Sequence, residues 1–215
     1  MSQINLKSKY KKVKDIPWTE TIFVDKIIFD QNLFNIHKER IDKVFANASN
    51  EVKEQQLQNI LLRDTLFNKA MEIVAACYQF ELDQGDIDFF VKALKQNIPN
   101  NGNPANEYEN KIKNIAEKLV QKQLIFNDIA NAEGISVDSD EMLKVLDDYH
   151  KSTGLPIDDI KNDREKLTSA VSALLEEKIT AFIINKFPKN LETLYKNMEK
   201  DIEEHQKKEN ANNDK

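Results

Sequence analysis

Residues 80–95 read FELDQGDIDFFVKALK, and residues 135–151 read ISVDSDEMLKVLDDYHK. Each stretch alternates apolar and polar side chains for a few positions, meets an aspartate, and then changes to a longer apolar period. Period two belongs to extended chain and period 3.6 to helix, so both stretches predict a short extended link running into a helix. The aspartates mark the change. Asp138 and Glu141 have the N-cap and N3 spacing of a capping box, in which each side chain accepts from the other's backbone N–H. Asp83 and Asp86 have the same spacing with a shorter, weaker second member. Past the caps, Ile87, Phe90, Val91 and Leu94 form one apolar stripe, and Met142, Val145, Leu146 and Tyr149 form the other.

The second stretch begins 55 positions after the first, and the offset extends upstream. Leu57, Ile60, Ala70, Met71 and Val74 align with Ile112, Ile115, Ile125, Phe126 and Ile129, each set lying on one face of a long predicted helix. Asp64, the polar member of the first face, stands against Leu119, and Phe67 against Lys122, and both break the match. The unit is either a true duplication or two similar solutions to making a long helix carry a short one. Two copies are fewer than a solenoid needs.

The rest of the chain supports a helical reading. Only 4 Gly and 5 Pro occur in 215 residues, so turns are few and the elements between them long. Apolar positions at helical spacing from Phe23 to Phe45 predict one or two helices, with a break near residues 30–32. NIPNNGNPANEYE, residues 97–109, is the clearest loop, and Gly154 and Pro156 end the second short helix. A last strong helix spans about residues 163–187. Its Ile179, Phe182, Ile183, Ile184 and Phe187 point almost all round the axis, so that end is either buried on several sides or offered to a partner. The expected organisation is a basic flexible arm at 1–15 and a helical domain at 16–190. That domain holds two related helix–link–helix units, about 52–97 and 107–151, and the closing helix. A polar helix and tail fill 191–215. The fold class is all-α.

Composition excludes several functions. A net charge of −6, with only Arg40, Arg63 and Arg164 among 31 basic residues, argues against a nucleic-acid-binding protein. The single cysteine, Cys77, sits in an apolar helical setting and can form no disulfide within the chain. His37, His150 and His205 lie far apart with no ligand or triad partner at useful spacing. Asp147, Asp148, Asp158 and Asp159 flank a loop but lack the calcium-loop pattern. No phosphate-cradling Gly loop, nucleophile elbow or zinc-protease motif occurs, so neither an enzyme nor a cofactor or metal is expected. No apolar run reaches membrane-spanning or signal-peptide length, and the expected location is the cytoplasm.

The order of long helix, extended link, capped short helix and loop, repeated and closed by another helix, resembles the C-terminal substrate-binding domain of the bacterial chaperone trigger factor. The likeness covers about Val52 to Phe187 and rests most on AEKLVQKQLIFNDIANAEGISVDSDEM joined to SALLEEKITAFIINKF. It also extends to small stand-alone proteins built from that domain. The resemblance implies a helical body with two arms forming a cradle that holds unfolded chains without ATP. The family's ribosome-docking signature G-F-R-x-G-K-x-P is absent from this sequence, and its length leaves no room for the family's prolyl isomerase domain.

Stripe residues are expected to be core, so client contacts are sought off the stripes. Phe89 and Leu143 lie outside their helices' apolar faces, Leu155 and Ile157 sit in a loop, and Ile183, Ile184 and Phe187 form the all-round apolar end. The expected function is an ATP-independent holdase for unfolded or nascent polypeptides. The alternative is a helical scaffold that binds one defined partner. Lysines 7 to 14 are either a ribosomal RNA contact or a solvated tail, and a homodimer burying its own apolar ends would compete with clients.

Overall fold

The computed structural model describes residues 6–28, 31–97, 105–153 and 164–197. Helices dominate it. Six of them, in chain order, are α1 (Gln31–Val44), α2 (Asn50–Ala75), α3 (Gln84–Asn97), α4 (Ala105–Glu133), α5 (Ser139–Thr153) and α6 (Arg164–Lys186). Among the described residues four short strands accompany them: β1 (Lys9–Lys12), β2 (Ile22–Phe23), β3 (Tyr78–Glu81) and β4 (Lys189–Asn190). The two predicted long helices are α2 and α4, and the two capped short ones are α3 and α5.

The compact units do not follow chain order. One combines residues 1–16 with 74–182, and the other combines 17–73 with 183–215. The boundary therefore cuts α2 and α6 near one end of each, and the two sequence-related units do not coincide with the two compact ones.

In the first unit, α3 and α4 pack as a hairpin around Ile87, Ala116, Val120 and Leu124, with Leu6, Phe80, Leu82, Phe90, Val91 and Leu94 against them. Lys95 Nζ pairs with Glu109 at the end where the chain joins the two helices, at 2.6 Å. Met142 and Leu146 of α5 line a small apolar pocket with Leu167, Ala170, Val171 and Leu174 of α6. Gly134, at φ 67°, ends α4, and the N–H of Ile135 returns to the carbonyl of Ala130; a Cβ would strain that left-handed turn.

The basic arm is the main correction to the sequence reading. Residues 9–12 are a strand, paired antiparallel with β3 from Lys9 opposite Glu81 to Lys12 opposite Tyr78. The predicted extended link from Phe80 to Leu82 supplied the partner. Nothing local in a lysine-rich stretch announces pairing with residues some seventy positions away, which is why it read as a tail. Tyr10 and Tyr78 then anchor this ribbon on α4, both hydroxyls donating to Asp128, at 2.8 and 2.7 Å. Burial and that acceptor push the Tyr10 hydroxyl up to about 12 and raise Tyr78 as well.

In the second unit, parallel pairing joins β2 to β4, with Ile22 opposite Lys189, and Trp18 lies against Phe187 with ring centroids 5.1 Å apart. Phe23, expected on a helix face, is in β2 and 66% exposed. Thr65, fully buried on α2, accepts the N–H of Ile28 and donates to the carbonyl of Leu61. Asp64 has a partner that the sequence did not reveal: His37 Nε2 lies 3.0 Å from its Oδ2, tying α1 to α2. The Asp64 side chain also keeps 42% of its surface in solvent, so a polar position on that stripe costs little burial of charge.

Candidate polypeptide-binding surface

The caps set where α3 and α5 begin, and so which side chains turn outward. At α5 the capping box forms as predicted: Glu141 N–H donates to Asp138 Oδ1 at 2.8 Å, and Asp138 N–H donates to Glu141 Oε2 at 3.0 Å. Lys178 on α6 adds its ammonium to both carboxylate oxygens of Glu141 and to the carbonyl of Ser136. The Lys178 hydrogen bond, with the Asp138 N–H, holds the Glu141 carboxyl below the usual glutamate range.

At α3 the box is built differently. Asp83 Oδ1 accepts from Gly85 N–H at 2.9 Å, with Asp86 N–H a longer 3.4 Å away. The N–H of Asp83 goes not to Asp86 but to Ser8 Oγ, at 2.8 Å, and Ser8 Oγ donates onward to Asp86 Oδ2 at 2.6 Å. The backbone N–H of Ser8 reaches the same oxygen at 2.7 Å. Burial opposes the charge on Asp86, but the Ser8 bonds, with the backbone and charge of Lys7, outweigh it and leave the carboxyl below the usual aspartate range. A residue of the N-terminal segment therefore completes the cap.

With that start fixed, Ile87 faces the hairpin core and Phe89, two positions on, faces away. Phe89 is 56% exposed, its ring edge-on to Phe90 at 5.4 Å. On α5, Leu146 is buried while Leu143 is 48% exposed. Both were expected off the stripes, and they stand on separate helices of the same compact unit. Ile183, Ile184 and Phe187 are buried, with at most 7% of each exposed. At these positions, and at Ile179, the apolar end of α6 is core, the first of the two readings its pattern allowed, while Phe182 is half-buried. Leu155 and Ile157 lie outside the described residues.

On α1, Ile36 and Val44 are exposed; the sequence reading left Ile36 out and counted Val44 among the apolar stripe positions. Ile36 lies five residues before the buried Ile41, about 140° round the helix at roughly 100° per residue. That offset was readable as a second, outward face.

The family model described as bacterial trigger factor protein C-terminus matches residues 37–185 of this chain. That family is one of chaperones. The chain belongs to the trigger factor C-terminal family. It is 28% identical over 183 residues to an uncharacterized protein, the MG377 homolog, of Mycoplasma pneumoniae, covering 85% of this chain and 92% of that one. Its likeness to the uncharacterized protein MG377 of Mycoplasma genitalium has the same identity and extent. A trigger factor from Syntrophotalea carbinolica is 27% identical over 122 residues, half of this chain but only 28% of the length of that protein. Among solved structures, that of the hypothetical Mycoplasma protein MPN555 superposes with a TM-score of 0.73 at 27% identity, over 86% of this chain and 92% of that one.

Proposed function

We propose that this chain is an ATP-independent holdase of the cytoplasm, holding unfolded or nascent polypeptides against apolar side chains presented by a helical frame. The observation that carries the reading is a chaperone-family helical domain that keeps an aromatic and an aliphatic residue, Phe89 and Leu143, turned into solvent from rigid, capped helices. The α3–α4 hairpin and the α5–α6 pair are the proposed arms of the cradle. Covering one such side chain contributes about 1.5–3 kcal/mol, without direction or sequence code. Few contacts of that size give weak, unselective capture, which suits a holdase.

The test dilutes two unrelated chemically unfolded enzymes into buffer containing the protein and no nucleotide, and follows light scattering. Suppressed aggregation of both, reduced by Phe89→Ser combined with Leu143→Ser, is the expected result. Protection of neither, by a protein that is itself folded, overturns the reading in favour of a scaffold for one defined partner.

A further inference from the structure

The β1–β3 ribbon has an open edge. Among the described residues it is a two-stranded sheet, and all four residues of β1 are exposed. The N–H of Val13 donates to the carbonyl of Cys77, 2.8 Å away, which fixes the alternation of the ladder. Val13, Lys11 and Lys9 turn their backbone groups toward β3, and Tyr10 and Lys12 turn theirs outward. The open edge thus presents N–H and C=O groups from alternate residues, at the repeat an added extended chain would need.

The chemistry around that edge is cationic. Lys9, Lys11, Lys12 and Lys14 are exposed, in a protein whose net charge is −6. Lys9 and Lys11 share the face away from Asp128, where Glu81, opposite Lys9, offsets one of them. No arginine lies in this stretch, and the aromatic beside it, Tyr10, is committed to Asp128. Forked phosphate recognition and base stacking are therefore poorly served. A strand edge with lysines on both sides suits an extended, acidic polypeptide segment.

We propose that β1 is a docking edge for such a segment, which pairs its backbone with Tyr10 and Lys12 and its carboxylates with the lysines. This surface is distinct from the one carrying Phe89 and Leu143, and the proposal goes beyond holdase activity. Lysines on an edge also discourage unwanted pairing between copies. They do so by repelling other cationic edges, and the same charges select an acidic one.

The probe is a fluorescent peptide of alternating Glu and Val, with an alternating Lys and Val peptide and poly-uridine RNA as comparisons. Lys12→Pro and Lys12→Gln remove the same charge, but only proline removes the outward N–H, and it leaves the β1–β3 ladder bonds alone. The acidic peptide is expected to bind, to be lost on Lys9→Glu with Lys11→Glu, and to bind about tenfold more weakly to Lys12→Pro than to Lys12→Gln. In the unmodified protein, peptide should slow amide hydrogen exchange at Tyr10 and Lys12, leaving Lys9 and Lys11, already bonded to β3, little changed. That readout stands even if the proline variant fails to fold. No binding of the acidic peptide, binding without protection at Tyr10 and Lys12, or RNA bound in its place with equal losses in both Lys12 variants would each overturn the proposal. Client protection in the scattering assay is expected to survive Lys12→Pro, so either proposal can fail without the other.

Discussion

Asp86 is one methylene shorter than Glu141, and the whole arrangement at Ser8 follows from that difference. Glu141 reaches back to the N–H of its own cap residue, whereas at α3 the Ser8 hydroxyl accepts from Asp83 and donates to Asp86. Ser8→Ala is expected to cost about 1–2 kcal/mol in urea unfolding, since it leaves a half-buried N–H and a buried carboxylate each short of a partner. Asp86→Glu added to Ser8→Ala should recover part of that loss, because the longer side chain can span the gap itself; additive losses would show that Ser8 does not bridge the cap. The pH dependence has a definite sign. With its folded pKa below the unfolded value near 3.9, Asp86 binds fewer protons folded than unfolded. Its contribution is complete above that unfolded value and is lost as pH falls through the lower, folded one. Stability curves below about pH 4 should therefore flatten in Ser8→Ala relative to the parent. Lys178→Ala tests the other cap: the Glu141 carboxyl, followed by NMR, should move back up toward the usual glutamate value.

The β1–β3 ribbon changes what removing the N-terminus means at the scale of elements. Deleting residues 1–14 strips β1 from β3, removes Leu6 from the hairpin core and takes Ser8 from the α3 cap. The expected cost is about 3 kcal/mol or more, seen as a lower thermal midpoint, and a deletion variant as stable as the parent would contradict the pairing. Charge reversal on β1 is thus the cleaner probe of its lysines. The same ribbon shows where the sequence stops being legible. The long helices and the Asp138–Glu141 box were written in local periodicity and spacing, and the structure has them there, while the link read at Phe80 to Leu82 overlaps β3, which starts two residues earlier at Tyr78. β1, β2 and β4 were not, because pairing between distant segments leaves no local period when each strand is two to four residues long. Asp83 and Asp86 were legible as a cap, but the serine that completes it was not.

Across the molecule, two surfaces of opposite character stand on one acidic chain: apolar side chains at Phe89 and Leu143, and the cationic edge of β1. The first was half legible. Residues off a stripe turn outward, which located Phe89 and Leu143, but an all-round apolar end reads the same whether it is core or surface, and Ile183, Ile184 and Phe187 are core. Periodicity reports the faces of a helix, not how many neighbours cover them. The two surfaces also differ in thermodynamics, which lets binding be assigned to one of them. Burial of apolar side chains gives a negative heat-capacity change and little response to salt, whereas pairing with exposed lysines is screened within about 10 Å at 0.1 M salt. Calorimetric titration with an unfolded client, repeated over temperature and salt, should give a negative heat-capacity change and an affinity nearly constant with salt. Phe89→Ser with Leu143→Ser should shrink that heat-capacity change and weaken binding about tenfold or more. An affinity that falls steeply with salt, and is untouched by the double substitution, would place the client on the β1 edge instead and remove the apolar surface from the mechanism.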